Sequence, residues 1–116
     1  MKLRDIVHLL EGEVIHGEDK LNLDIDECFA ADLMSDVLAF SRSHALLITG
    51  LTSVQSIHTA DLADFKAIVF VNHKKPQPPA VDLAVKKNIP VVTTKLHMFD
   101  ACGILYNAGL LGGYKS

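Results

Sequence analysis

The sequence has few cysteines, no tryptophan and no long apolar run. Its two cysteines, Cys28 and Cys102, are too few for a disulfide scaffold and lack CxxC spacing. The longest apolar runs are about five residues, far short of the roughly 20 that a membrane-spanning helix needs. Arg4, Asp5 and His8 interrupt the opening segment, whereas a secretory signal has an unbroken apolar block. These absences predict a cytoplasmic protein without a membrane span.

The charge pattern argues against nucleic-acid binding. The formal net charge is -3, with 11 basic and 14 acidic residues. Adjacent basic residues occur only at 74–75 and 86–87. A surface that neutralises a nucleic-acid backbone needs a broad cluster of lysine and arginine. We therefore expect no nucleic-acid partner.

The apolar residues that are present predict one α/β domain over residues 1–116. Hydrophobic residues make up 49% of the chain, which is enough for a core. Apolar runs at 45–48, 67–71 and 89–92 lack polar alternation, as strands covered on both faces do. Their spacing of about 22 residues leaves room for one crossover helix per interval. The pattern predicts a small, mostly parallel sheet of four or five strands with helices packed on it.

Residues with capping and turn preferences predict where the helices begin and end. The predicted starts are Asp32, Thr52 with Gln55 in a capping box, Pro78-Pro79, and Thr94. The predicted stops are Gly12, Asn88 and Gly109. The first 26 residues are expected to hold a helix and short strands, with strands within 13–17 and 21–31. Residues 111–116 are expected to form a loose tail.

The sequence lacks the motifs of common catalytic centres. It has no GxxxxGK followed by Ser or Thr, no GxGxxG after a strand and no GxSxG. The histidines are scattered, and His97 and Cys102 are too far apart to share one helical face. Asp32 and Asp36 fit either a paired acid site or, as we favour, a capping aspartate beside a solvated one. We predict no catalytic residue, no metal site and no cofactor.

The predicted topology still indicates where a ligand would bind. In open parallel sheets, ligands bind beyond the carboxyl ends of the strands. The loops there offer a glycine, hydroxyls, an amide and lysines, which suit a nucleotide or another anionic metabolite. The alternative is that these residues only begin helices. The predicted ligand-binding residues are Gly50, Thr52, Ser53, Asn72, Lys74, Thr93, Thr94 and Lys95.

Three segments in order resemble small free-standing proteins of the DRTGG-domain family. They are CFAADLMSDVLAF, ALLITGLTSVQSIHTADLADFKAIVFVNHKKP and NIPVVTTKLHMFDACGILYNAGL, which span about residues 27–110. Such domains also occur in phosphotransacetylases and in pyrophosphatases that carry CBS domains, and they are similar to the N-terminal domain of HPr kinase/phosphorylase. The resemblance implies a regulatory or assembly module without a catalytic centre.

The family's two strand-end loops match residues 50–53 and 72–76 of this sequence. An Asp-Arg pair is common in the first loop, where this chain has Leu51-Thr52. Glycines are common in the second loop, where this chain has Asn72-His73. The resemblance therefore implies that this chain has less charge and less backbone freedom at these loops than its relatives.

Three functional hypotheses follow. The leading one is a non-catalytic regulatory module that forms a homodimer and binds an anionic small molecule at the strand-end loops. Dimerisation is expected because a small sheet leaves an edge or a helix face to cover. The second is an assembly subunit of a kinase or redox enzyme system, docking through Leu110, Leu111 and Tyr114. The third and least favoured is a small phosphotransfer or hydrolytic enzyme.

Overall fold

The computed structural model describes residues 1–115, which alternate between strands and helices. A single 3-10 turn, Glu18–Lys20, lies between the first two strands. No helix within residues 1–115 has the length and apolar character needed to cross a membrane. The elements in chain order are α1 (Leu3–Leu9), β1 (Glu13–His16), β2 (Glu27–Ala30), α2 (Met34–Phe40), β3 (Leu46–Thr49), α3 (Val54–Leu62), β4 (Ala67–Phe70), α4 (Pro78–Lys87), β5 (Val91–Thr93), α5 (Met98–Asn107) and β6 (Leu111–Gly112).

The strands form one sheet in the order β1-β5-β4-β3-β2-β6. Strand β1 is antiparallel to β5, and every other pairing is parallel. The predicted α/β class with a mostly parallel sheet is confirmed, although the described residues form six strands rather than four or five.

The additional strand comes from the segment expected to be a loose tail. Leu111 and Gly112 pair with Glu27 and Cys28, and Tyr114 forms a bridge with Ser41. The expectation of a loose segment is therefore wrong for residues 111–115, because this segment pairs with the backbone of β2 and of the α2–β3 loop. Ser116 lies outside the described residues.

The central strands are buried on both faces, which explains their unbroken apolar sequence. Every residue of β3 and β4 is buried. On one face, Ile48 and Val69 join a cluster with residues of α1 and α5. On the other, Leu47 and Phe70 pack with residues of α2, α3 and α4. The sheet is thus a middle layer, and the carboxyl ends of its parallel strands open at one edge.

Three of the predicted helix boundaries are confirmed and one stop is shifted. Pro78 opens α4, Asn88 ends it with a φ of 56°, and Gly109 follows α5 with a φ of 110°. After α1, the left-handed residue is Glu11 at a φ of 49°, not Gly12. Gly12 is needed for a different reason, because a Cβ there would lie 2.8 Å from the Val92 side chain.

Three predicted N-caps are wrong. The residues at the N-cap positions are Leu33 for α2, Ser53 for α3 and His97 for α5, rather than Asp32, Thr52 and Thr94. None of these three positions makes a side-chain cap hydrogen bond, and α3 has its N-cap one residue later than the Thr52–Gln55 capping box requires. The Asp32 and Thr94 oxygens instead bond to distant parts of the chain.

Candidate functional site

The first group of polar residues at the sheet edge joins the ends of β2, β3 and β4. The Asp32 Oδ1 atom accepts hydrogen bonds from the Gly50 amide at 2.7 Å and the Thr49 hydroxyl at 3.1 Å. Asn72 stands beside them, since a Cβ added to Gly50 would lie 2.8 Å from its Nδ2 atom. We refer to Asp32, Thr49, Gly50 and Asn72 as the Asp32 cluster. The Asp32 carboxylate therefore occupies the Gly50 amide, in the place where an anionic ligand would otherwise accept its hydrogen bond.

The loop that follows Gly50 is tied to the next loop along the sheet edge. The Thr52 carbonyl accepts a hydrogen bond from the Gln77 amide at 3.0 Å, immediately before α4. Thr52 and Ser53 are half-buried, and neither lines the pocket that the second polar group forms. These two predicted ligand contacts therefore lie apart from the second polar group.

The second group forms a pocket of about 240 Å³. Its walls come from the β4–α4 loop, the end of β5 and the α1–β1 turn. It contains four of the eight predicted ligand-binding residues, namely Lys74, Thr93, Thr94 and Lys95. The other four, Gly50, Thr52, Ser53 and Asn72, lie outside it. We call it the lysine pocket, and its lining is Glu11, Glu13, His73, Lys74, Lys75, Thr93, Thr94 and Lys95.

An unusual backbone turn places the lysines in this pocket. Asn72 and His73 are consecutive left-handed residues, with φ values of 69° and 57°. Their amides donate to the carbonyls of Leu96 and Thr94 at 2.8 and 3.0 Å. Glycine adopts this conformation most readily, and asparagine is among the residues that tolerate it best. The turn fastens the β4–α4 loop to the segment after β5, so that Lys74 and Lys95 share one pocket.

Thr94 has a structural role in this arrangement. Its hydroxyl donates to the Leu10 carbonyl at 2.7 Å and accepts from the Leu96 amide at 3.2 Å. The residue is buried. Because its hydroxyl is already bonded on both sides, Thr94 shapes the pocket wall and holds the end of α1 against β5.

The lysine pocket contains charges of both signs. Three lysines and His73 face two glutamates, Glu11 and Glu13. The Lys75 Nζ and Glu13 Oε1 atoms are 3.9 Å apart. Within residues 1–115, Lys74 and Lys95 have no acidic partner at ion-pair distance. The pocket therefore carries a positive excess and suits an anion.

The remaining reactive side chains lie elsewhere. Cys28 and Cys102 are free thiols that line a separate apolar cavity of about 150 Å³. Burial, with a smaller contribution from the neighbouring Cys102, raises the pKa of Cys28 to about 11. Burial also raises the pKa of Cys102. Both thiols are protonated at neutral pH and are weak nucleophiles. Across residues 1–115, no three His, Cys, Asp or Glu side chains come together in a geometry that could hold a metal ion.

Comparison with known proteins supports this architecture. A model of the DRTGG domain matches residues 5–108. The fold is similar to the crystal structure of the CBS and DRTGG domains of the regulatory region of Clostridium perfringens pyrophosphatase complexed with its activator, diadenosine tetraphosphate. The TM-score is 0.76 at 16% sequence identity, over 99% of this chain and 50% of that one. This chain thus spans about half the length of its structural neighbour. No curated protein matches it.

Proposed function

The chain belongs to the DRTGG-domain family, and we propose that it is a cytoplasmic, non-catalytic regulatory module that binds a small anionic metabolite or nucleotide in the lysine pocket. One observation carries this proposal. Lys74, Lys75 and Lys95 converge on a single pocket at the carboxyl edge of a parallel sheet. Ligands of open α/β folds bind at this edge. Ammonium groups that are not neutralised by nearby acids attract phosphate and carboxylate groups.

The lysine pocket is a better anion site than the Asp32 cluster. An anion at the Gly50 amide would have to displace the Asp32 carboxylate and would be repelled by it. In the lysine pocket, Lys74 and Lys95 are available for a ligand. Of the eight predicted residues, we therefore propose Lys74, Thr93 and Lys95 as the direct contacts.

A regulatory role fits both the family and the chemistry of the pocket. Lysine and threonine side chains bind anions, whereas the two thiols lie in a different cavity with raised pKa values. The pyrophosphatase regulatory region was crystallised with a nucleotide activator. Because this chain shares the fold of that region, nucleotides are the first class of compounds to test.

A thermal-shift panel of nucleotides and phosphorylated metabolites tests the proposal. A ligand at 100 times its Kd stabilises the folded state by about 2.7 kcal/mol, which is readily measured. We expect Lys74→Gln and Lys95→Gln to abolish the shift. Lys86→Gln, an exposed lysine on α4, is the matched control and should retain it. The proposal fails if no compound shifts the melting temperature at millimolar concentration, or if all three variants behave alike.

A second surface favours self-association as part of the same function. Phe99 and Tyr106 project from α5 with 87% and 75% of their areas exposed. Leu111, on the edge strand β6, is 64% exposed. Exposed apolar residues beside an open strand edge are typical of protein contacts, and two-fold dimers are the commonest assembly. We assign this surface, defined by Phe99, Tyr106 and Leu111, to contact with a second copy of the chain.

Light scattering over a concentration series tests the self-association. The wild type should be a dimer at micromolar concentration, and the double variant Phe99→Ser with Tyr106→Ser should be a monomer. Leu62→Ser is the control, because Leu62 is also 75% exposed but lies on α3. A monomeric wild type would overturn self-association and leave a different protein as the occupant of this surface.

A further inference from the structure

The lysine pocket is small enough to restrict its ligand. Its volume of about 240 Å³ lies below the roughly 300–1,000 Å³ of pockets that enclose drug-sized ligands. It can therefore enclose one charged head group, while the rest of a larger ligand stays outside. A phosphate group matches the two lysines that lack an acidic partner.

We propose that the lysine pocket takes the single phosphate group of a phosphomonoester, held by Lys74 and Lys95, and that Glu13 limits its affinity by holding Lys75. This inference rests on the proposed function and adds a ligand class and a residue that sets specificity. A phosphomonoester carries close to two negative charges at neutral pH, because its second pKa is about 6. Two unneutralised lysines balance that charge.

The three lysines of the pocket are not equivalent. Lys75 lies 3.9 Å from the Glu13 carboxylate, whereas Lys74 and Lys95 have no acid at ion-pair distance within the described chain. A phosphate that approaches Lys75 must compete with Glu13 for the ammonium group. Glu13 also repels the phosphate directly, because both are negative.

The backbone keeps Glu13 at the pocket. Glu13 opens β1 and pairs with Thr93 of β5. The preceding Gly12 has no spare space, since a Cβ there would lie 2.8 Å from the Val92 side chain and 3.1 Å from the Thr93 carbonyl. The Thr94 hydroxyl further anchors the end of α1. The turn cannot withdraw without breaking these contacts, so the Glu13 backbone stays at the pocket, where its carboxylate lies 3.9 Å from the Lys75 Nζ atom.

The two glutamates also discriminate between ligands. A nucleoside diphosphate brings a second phosphate to a pocket whose lining includes Glu11 and Glu13. The two carboxylates would repel this additional negative charge. The remaining lysine, Lys75, would attract it weakly, because Glu13 already neutralises its ammonium group. The pocket should therefore gain little or nothing from a second phosphate. Removal of the Glu13 charge should favour the diphosphate more than the monophosphate.

Calorimetric titration of inorganic phosphate, AMP and ADP at low ionic strength tests the inference, because screening by salt is then weak. Glu13→Gln should tighten AMP binding about two- to fivefold, the size expected when one exposed ion pair is removed. ADP should gain more than AMP. Glu18→Gln, an exposed glutamate outside the pocket, should leave both affinities unchanged.

A double-mutant cycle isolates the role of Lys75. Lys75→Gln should have little effect in the wild type, where Glu13 holds the ammonium group, and should weaken phosphate binding in the Glu13→Gln background. Equal effects in the two backgrounds, or no gain from Glu13→Gln, would overturn the inference while phosphate binding itself stands. Binding of carboxylates without binding of phosphates would overturn the ligand class alone. No binding of any anion would overturn the proposed function as well.

Discussion

The Asp32 carboxylate accepts a hydrogen bond of 2.7 Å from the backbone amide of Gly50, 18 residues further along the chain. The bond joins the end of β2 to the end of β3, and the Thr49 hydroxyl reinforces it at 3.1 Å. A glycine after a buried strand is a common position for binding a phosphate. Here the protein's own carboxylate fills that position. The loop after β3 is consequently a structural connection, and the anion site that we propose lies towards β4 and β5.

Removal of the Asp32 carboxylate should weaken this joint. Asp32→Ala leaves the Gly50 amide without its partner, and we expect the free energy of unfolding to fall by about 1 kcal/mol. Asp32→Asn keeps an acceptor oxygen and should cost less. Urea denaturation measures the change, with Asp82→Ala, an exposed aspartate on α4, as the control. An equal loss in Asp32→Ala and Asp82→Ala would contradict a specific role for Asp32.

A side chain at position 50 should collide with Asn72. The Cβ of Gly50→Ala would lie 2.8 Å from the Asn72 Nδ2 atom, so we expect a loss of about 1–3 kcal/mol. Asn72→Gly removes the obstructing amide and tolerates the left-handed φ of 69°. The double variant should therefore be more stable than Gly50→Ala alone. Additive losses in chemical denaturation would show that Asn72 is not the obstacle.

Loss of the Thr94 hydroxyl should destabilise the contact between α1 and β5. Thr94→Val keeps the volume but leaves the buried Leu10 carbonyl without its 2.7 Å donor, so we expect a cost of about 1–3 kcal/mol. Thr94→Ser keeps the donor and should retain most of the stability. Thr52→Val, at a half-buried threonine whose side chain caps nothing, is the control and should stay within about 0.5 kcal/mol. A neutral Thr94→Val variant would refute the role of this bond.

Ionisation of Cys28 should make the fold less stable at alkaline pH. Burial raises the thiol pKa from 9.0 to about 11 in the folded state, so the folded state holds this proton more tightly than the unfolded chain. The contribution is complete below pH 9 and is lost as the pH rises towards 11, by up to about 2–3 kcal/mol. We expect the difference in unfolding free energy between wild type and Cys28→Ala to shrink over this range. A constant difference would show that Cys28 does not titrate with a raised pKa.

Much of the fold was predictable because the strands that are buried on both faces consist of unbroken apolar runs in the sequence. The apolar runs at 45–48, 67–71 and 89–92 predicted the central strands, since a strand covered on both faces cannot alternate with polar residues. The turn preferences of Pro78, Asn88 and Gly109 predicted helix boundaries correctly, because their backbone constraints are local. The tail was not predictable, because its pairing with β2 depends on a free strand edge that only the folded sheet provides.

The position of the candidate site followed from the sequence only in outline. The topology indicated the carboxyl edge, and four of the eight residues predicted from the sequence line the lysine pocket there. The division of the polar residues into the Asp32 cluster and the lysine pocket was not predictable, because it depends on the hydrogen bond between Asp32 and Gly50 that only folding creates. Glu11 and Glu13 were also missed as pocket residues, since they come from a turn at the opposite end of the chain from Lys95. The glycine between them, Gly12, was the one sign in the sequence that this turn packs closely against another part of the backbone.

The sequence by itself determined the alternation of strands and helices and the buried strands, and it indicated the sheet edge at which the candidate site lies. The tertiary structure alone decided the partners of polar side chains. In the sequence, Asp32 and Thr94 resemble helix N-caps because their side chains could bond to backbone amides of the helix that follows. In the folded protein, their side chains instead bond to backbone groups 18 and 84 residues away along the chain. Apolar burial adds up over many residues and tolerates small shifts, whereas a hydrogen bond requires two atoms within about 3 Å. That proximity exists only after the chain has folded.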